Sequence, residues 1–166
     1  TWRQHKHGEQ NKSSVQYAHK INSQQAAVRR MIMGLDMYLT GKKFIPTHEG
    51  NQREVVDGYE VSSMSLDLGQ WRKHWALHKY IEENVVCRQI HGEGEGKFVF
   101  LDEELLEIAN AVEQGNLPEA DYSPQTDAFH KEPEQVAKTA KIFREAHAWV
   151  TREDGLWKDV EYNGSW

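Results

Sequence analysis

Large apolar residues are sparse before Met33 and regularly spaced after it, and this switch constrains the fold more than any motif in the chain. Residues 1–32 are rich in Gln, His, Lys, Ser and Asn, a composition with little to bury against the entropy of ordering a chain. Tyr17, Ile21, Val28 and Ile32 at most trace a thin helical stripe. Charge changes sign at the same place. Of the 20 Lys and Arg and 26 Asp and Glu, six bases and one acid lie in residues 1–32, leaving 14 and 25 beyond; the two parts stand at +5 and −11. The dipeptide Arg29-Arg30 is what AGG-AGG encodes, a bacterial ribosome-binding hexamer at the usual distance from a start at Met33. The expectation is a leader over 1–32, either translated upstream sequence or a flexible basic arm, and one globular domain over 33–166.

A body at −11 repels phosphate backbones, which argues against generic nucleic-acid binding and leaves a basic host protein or a cationic ligand as the better electrostatic match. Acidic surface also confers solubility with no partner at all. Cys87 is the only cysteine, so an internal disulfide and an all-cysteine zinc site are excluded. No apolar run reaches the roughly 20 residues of a membrane span, and the expected compartment is the cytoplasm.

From Met33 onward, Leu35, Met37 and Leu39 alternate with Asp36, Tyr38 and Thr40 as in a half-buried strand. Pro46 and Gly50 mark a loop, and Val55 to Leu66 carries β-favouring residues for a second strand. Asp67 is placed to cap a helix from about Gly69 to Val86, with Trp71, Trp75, Leu77 and Ile81 at helical spacing. After the Gly-Glu repeat of 92–96, Lys97 to Leu101 forms a short strand. A helix capped by Asp102 turns Leu105, Ile108, Ala109 and Val112 inward until Gly115 ends it. Residues 116–132, with Pro118 and Pro124, are expected to form a surface loop. Pro133 opens a helix striped by Val136, Ala140, Phe143, Ala146, Trp149 and Val150. Asp154-Gly155 turns the chain into a last strand from Trp157. The order predicts an α+β fold in which a small mixed or antiparallel sheet of about four strands is packed by about three helices.

The segment from Trp71 to Tyr80 is chemically the richest. His74 and His78, four apart, would share one face of a helix and offer two neutral imidazoles to a divalent metal such as zinc, with Asp36, His48, His91 or His147 as possible third ligands. The residue after the first histidine is Trp75 where a zinc peptidase has Glu, and a lone pair of this spacing is more often structural. Arg72 and Lys73 match a phosphate or carboxylate, or equally a neighbouring acid. Trp71 and Trp75 fit either a stacking platform or the core. Asp36 interrupts an apolar strand on the same face as Tyr38; it is either wet, or paired with His or Arg as a general-base arrangement or a plain ion pair. Cys87, after two valines, reads as a buried thiol without a partner motif.

The heptapeptide Met33-Gly-Leu-Asp-Met-Tyr-Leu39, the run Trp71-Arg-Lys-His74 with Leu77-His78 after it, and the closing Tyr162 to Ser165-Trp166 resemble a family of small phage and prophage proteins. Gln70 stands where that family tends to have Tyr, and a Gly-Phe-Phe-Phe-Gly type stretch expected after Leu117-Pro118 is absent. The resemblance implies a viral or mobile-element origin in a bacterial host and supplies no activity.

Three functions are compatible with these residues. The first is a binding module in which Tyr38, Trp71, Arg72, Lys73, Trp75 and His78 hold a small anionic ligand or a host protein between the Trp71–Tyr80 helix and strand one. The second is an acidic inhibitor of a basic host protein. The third is a metal-assisted or acid/base hydrolase working through Asp36, His74 and His78.

Overall fold

A computed structural model describes residues 34–46, 53–84, 88–89, 96–120 and 124–165. Contacts divide the chain into two units, Thr1–Gly34 and Leu35–Trp166. The strands and helices of the described residues belong to the second unit, which is an α+β fold. In chain order they are β1 (Asp36–Phe44), β2 (Val55–Val56), β3 (Tyr59–Glu60), β4 (Ser63–Arg72), α1 (Trp75–Asn84), β5 (Arg88–Gln89), β6 (Gly96–Val99), α2 (Asp102–Glu113), α3 (Pro124–His130), α4 (Pro133–Thr151) and β7 (Lys158–Ser165), among the described residues.

The sheet is antiparallel throughout and runs β4-β1-β7-β6-β5, while β2 and β3 form a separate hairpin. The first and last strands of the unit are therefore central neighbours, with Asp36 opposite Ser165 and Gly41 opposite Val160. Alternation decides what each strand buries. Met37 and Leu39 on β1, and Val160 and Tyr162 on β7, point to the helices and are 1% exposed or less. Asp36, Tyr38 and Thr40 face the other side.

Helices α1, α2 and α4 cover the inward face. Leu105, Ile108, Ala109 and Val112 of α2, and Ala140, Phe143 and Ala146 of α4, join Trp71, Trp75, Leu77 and Ile81 in one core. Each fully buried side chain of Leu or Ile size contributes about 1.5–3 kcal/mol. Gly69 lets α4 approach the sheet, since a Cβ there would lie 2.6 Å from Cγ2 of Ile142.

Four expectations need correction. The segment Gly69–Arg72 is strand, because β4 pairs with β1 up to Asp36–Arg72 and an extra residue at Leu68 shifts the register between Leu39 and Thr40. Asp67 caps nothing; it sits within β4 opposite Thr40. Asp102 is the first residue of α2 rather than its cap, and the Leu101 N–H at the cap donates to Glu104 Oε2 at 2.7 Å. Residues 124–130 form a helix where the prolines and polar residues predict a loop. His48, His91, Cys87 and the Gly-Glu repeat up to Glu95 lie outside the described residues.

Candidate functional site

The chain leaves β4 through Lys73, which adopts a left-handed φ of 57° while its N–H donates to the Leu35 carbonyl at 2.7 Å. This sharp reversal separates neighbours in sequence. Arg72 stays on the open face of the sheet, its guanidinium 3.6 Å from Asp36, its cross-strand partner. Trp71 points the opposite way, stacks on Phe143 with ring centroids 5.3 Å apart and donates from Nε1 to Thr139 Oγ1 at 3.0 Å. Beyond the reversal, His74, Trp75 and His78 are all buried.

The six residues expected to share a ligand therefore divide. Tyr38 and Arg72 belong to the open face and Trp71 and Trp75 to the core; Lys73 is half-buried at the reversal. Asp36 pairs with Arg72 and meets no histidine among the described residues. Of its two expected states, wet face and paired carboxylate, both hold at once.

The two histidines serve different neighbours. The His74 ring stacks face to face on His130, centroids 4.0 Å apart and planes within 2°, and its Nδ1 lies 3.7 Å from Asp127 Oδ1. That distance is too long for a hydrogen bond, leaving Nδ1 without a hydrogen-bond partner among the described residues. Burial holds the His74 pKa below its usual value; Asp127 opposes the shift and His130 adds to it.

Asp127 also accepts from the Ala76 N–H at 3.2 Å, and His130 Nε2 donates to the Arg72 carbonyl at 3.0 Å. A carboxylate from α3 thus caps α1 across space and fills the anion position at that helix start from within the protein. An external phosphate has no vacancy there.

His78 faces the sheet. Burial, and then the charge of Glu82, push the Tyr162 phenol well above its usual pKa, so it keeps its proton and donates it to His78 Nδ1 at 2.7 Å. The ring hydrogen then sits on Nε2, 3.3 Å from Glu82 Oε1. Gly164 makes room for this contact, since a Cβ there would stand 2.9 Å from the phenol oxygen and 3.0 Å from His78 Cε1. Gly164→Ala should destabilise the fold by about 1–3 kcal/mol through overpacking. A urea titration reads this directly, and a cost below about 0.5 kcal/mol would show that the His78–Tyr162 pair is not tightly held.

Among the described residues no three His, Cys, Asp or Glu side chains are grouped to hold a metal. Of the expected His74–His78 pair, one ring lies against α3 and the other against β7. His147 is half-buried on α4.

A concavity lies elsewhere. A groove of about 770 Å³ opens where the end of β1, the end of α4 and the loop into β7 meet, lined by Phe44, Ile45, Pro46, Val150, Leu156 and Trp157 among others. Among the described residues, seven of the nine exposed large hydrophobics lie on this groove or on segments leaving its rim: Phe44, Val55, Val56, Tyr59, Met64, Leu101 and Trp157. Trp157 is 72% and Tyr59 79% exposed. The sequence gives little sign of this pole because its apolar residues come from four segments that are distant in sequence.

Beneath the groove, Asp154 binds Lys158 at 2.9 Å and Lys43 at 3.0 Å, and these cations, Lys158 first, hold its carboxyl far below the usual range. Lys158 occupies a core-facing position of β7 and reaches the Arg152 carbonyl at the end of α4. The ion cluster ties the α4–β7 loop to β1.

Comparison with known proteins finds no matching family model, no matching curated protein and no matching solved structure. No described helix is long and apolar enough to cross a membrane.

Proposed function

We propose that this chain is a partner-binding module whose working face is the apolar pole around Phe44 and Trp157, not the Trp71–Tyr80 segment. One observation carries the reading: exposed apolar side chains are concentrated at one end of the sheet, around the groove. Isolated surface hydrophobics are ordinary, whereas a contiguous apolar patch beside a groove is what interaction surfaces use. A hydrolase built on Asp36, His74 and His78 has less support, because catalytic groups must meet one reacting centre. Asp36 is spent on Arg72 on the open face, His74 on α3 and His78 on β7.

Nile red, a neutral dye that brightens in apolar surroundings, tests the reading. The folded protein should enhance its fluorescence, and the double variant Tyr59→Ser, Trp157→Ser should remove most of the gain with little change in melting temperature, both residues being exposed. No enhancement by the folded protein, or enhancement indifferent to the two substitutions, would sink the reading.

A further inference from the structure

The charges around the apolar pole are lopsided in a way their number hides. Every cation at the groove is engaged: Lys43 and Lys158 hold Asp154, Arg53 binds Glu60 at 3.3 Å and the Ile45 carbonyl at 3.2 Å, and Arg152 lies 4.0 Å from Asp154. Five exposed carboxylates on the same segments have no ion-pair partner among the described residues. Asp102 and Glu153 line the groove, Glu103 is next to Asp102, and Glu54 and Asp57 lie beside β2 and in the turn of the hairpin between Arg53 and Ser62. The last turn of α4, with its outward carbonyls, also ends at the groove, adding the negative end of a helix dipole.

Resting on the binding-module reading, we infer that the pole docks a basic amphipathic segment of another protein, whose apolar side chains enter the groove and whose Lys or Arg residues face Glu54, Asp57, Asp102, Glu103 and Glu153. Charge complementarity selects this occupant. A nucleic acid meets repulsion from a body at −11, and a second copy would bring the same unpaired carboxylates against these. A small cation alone would leave Val55, Val56, Tyr59 and Met64 uncovered, since they extend beyond the groove onto the hairpin and β4. A polypeptide covers both. Recognition of this kind lays the apolar face of an amphipathic segment into a groove and lets flanking charge set partner choice.

The test uses three synthetic peptides of about 18 residues, five helical turns: Leu/Lys amphipathic, Leu/Glu amphipathic, and Lys/Ser without an apolar face. Binding to the full chain is measured by fluorescence anisotropy, and the footprint by amide chemical shifts. The Leu/Lys peptide should bind at least about tenfold more tightly than either other, and its footprint should include Phe44, Tyr59 and Trp157. Tyr59→Ser with Trp157→Ser should weaken it about tenfold or more. Asp102→Lys with Glu153→Lys should weaken it at least about threefold at low salt, a difference that shrinks by about 0.5 M salt.

If the Leu/Glu peptide binds the same footprint equally well, the binding-module reading survives and the basic partner is overturned. Leu/Lys binding that ignores Tyr59 and Trp157, being spread over the acidic surface, also overturns it. So does concentration-dependent dimerisation abolished by those substitutions, which would make a second copy the occupant. If neither amphipathic peptide nor Nile red engages the pole, both readings fall together.

Discussion

Replacing Phe143 by Ala should lower the stability of the unit by about 3–5 kcal/mol, the usual cost of emptying a buried aromatic site. Phe143 is fully buried where α4 crosses the sheet, stacked on Trp71 and edge-on to Phe100 with centroids 6.4 Å apart. Those two rings sit on β4 and at the end of β6, so the cavity would open between elements that cannot all close on it. Against a total of about 5–15 kcal/mol for a domain, the loss should bring melting down by roughly 10–20 °C. Glu145→Ala, an exposed position of the same helix, should change stability by less than about 0.5 kcal/mol. Calorimetry on both variants decides the matter: a similar small effect for the two would mean that the Trp71–Phe143–Phe100 cluster does not bind α4 to the sheet.

The second large effect is expected at Asp127. Asp127→Ala removes the acceptor of the Ala76 N–H and the anion facing His74 in one step, and should cost about 1–3 kcal/mol. Asp127→Asn keeps an acceptor for the amide and should cost less at neutral pH. Acid should reproduce part of the loss in the unaltered protein. His74 takes up a proton less readily folded than unfolded, so the stability carried by its neutral ring is complete above about pH 6.5 and declines as the pH falls below that value.

Burial resists ionisation of Asp127, yet His74, the Ala76 N–H and Lys131 together outweigh it and hold its carboxyl below 3.8. Its contribution is therefore present above 3.8 and is lost only as the pH falls through the range beneath. Urea titrations from neutral pH downward should show a first decline starting near 6.5 and a further one starting below 3.8. His74→Phe keeps a ring against His130 and removes the first titration, so its profile should be flatter between those values. An unchanged slope in that variant would show that His74 is not the group responsible.

Several parts of this molecule are legible in one dimension because a single element carries the whole signal. The alternation of Leu35, Met37 and Leu39 is a property of one strand with one buried face, and β1 obeys it. The 3.6-residue stripe from Val136 to Val150 lies within α4, whose first residue is Pro133. The Trp71–Trp75 spacing misleads because it crosses an element boundary. Trp71 ends a strand and Trp75 starts a helix, so their four-residue separation reflects the turn at Lys73 and not a shared helical face. Helix α3 gives no signal at all, since the residues it buries are Asp127 and His130. A helix held by a carboxylate and a stacked imidazole has no apolar period to detect.

Legibility of the candidate sites divides along the same line. Residue types predict chemistry at His74 and His78, but which partners those rings meet depends on Asp127, His130 and Tyr162, 53 to 84 positions away by sequence number. Charge is readable as a sum, −11 beyond Met33, while the pairing that leaves Glu54, Asp102 and Glu153 unmatched beside bound lysines and arginines is not. By itself the sequence determined the alternation of β1, the stripe of α4, the α+β class and the acidity of the unit, because these depend on composition and on neighbours within a few residues. Only the tertiary structure decided that β4 continues to Arg72, that the histidines are absorbed in separate contacts, and that Phe44, Tyr59, Leu101 and Trp157 gather at one pole. Those outcomes depend on which distant segments pair and pack, and strand register and helix docking are fixed by burial over the whole unit.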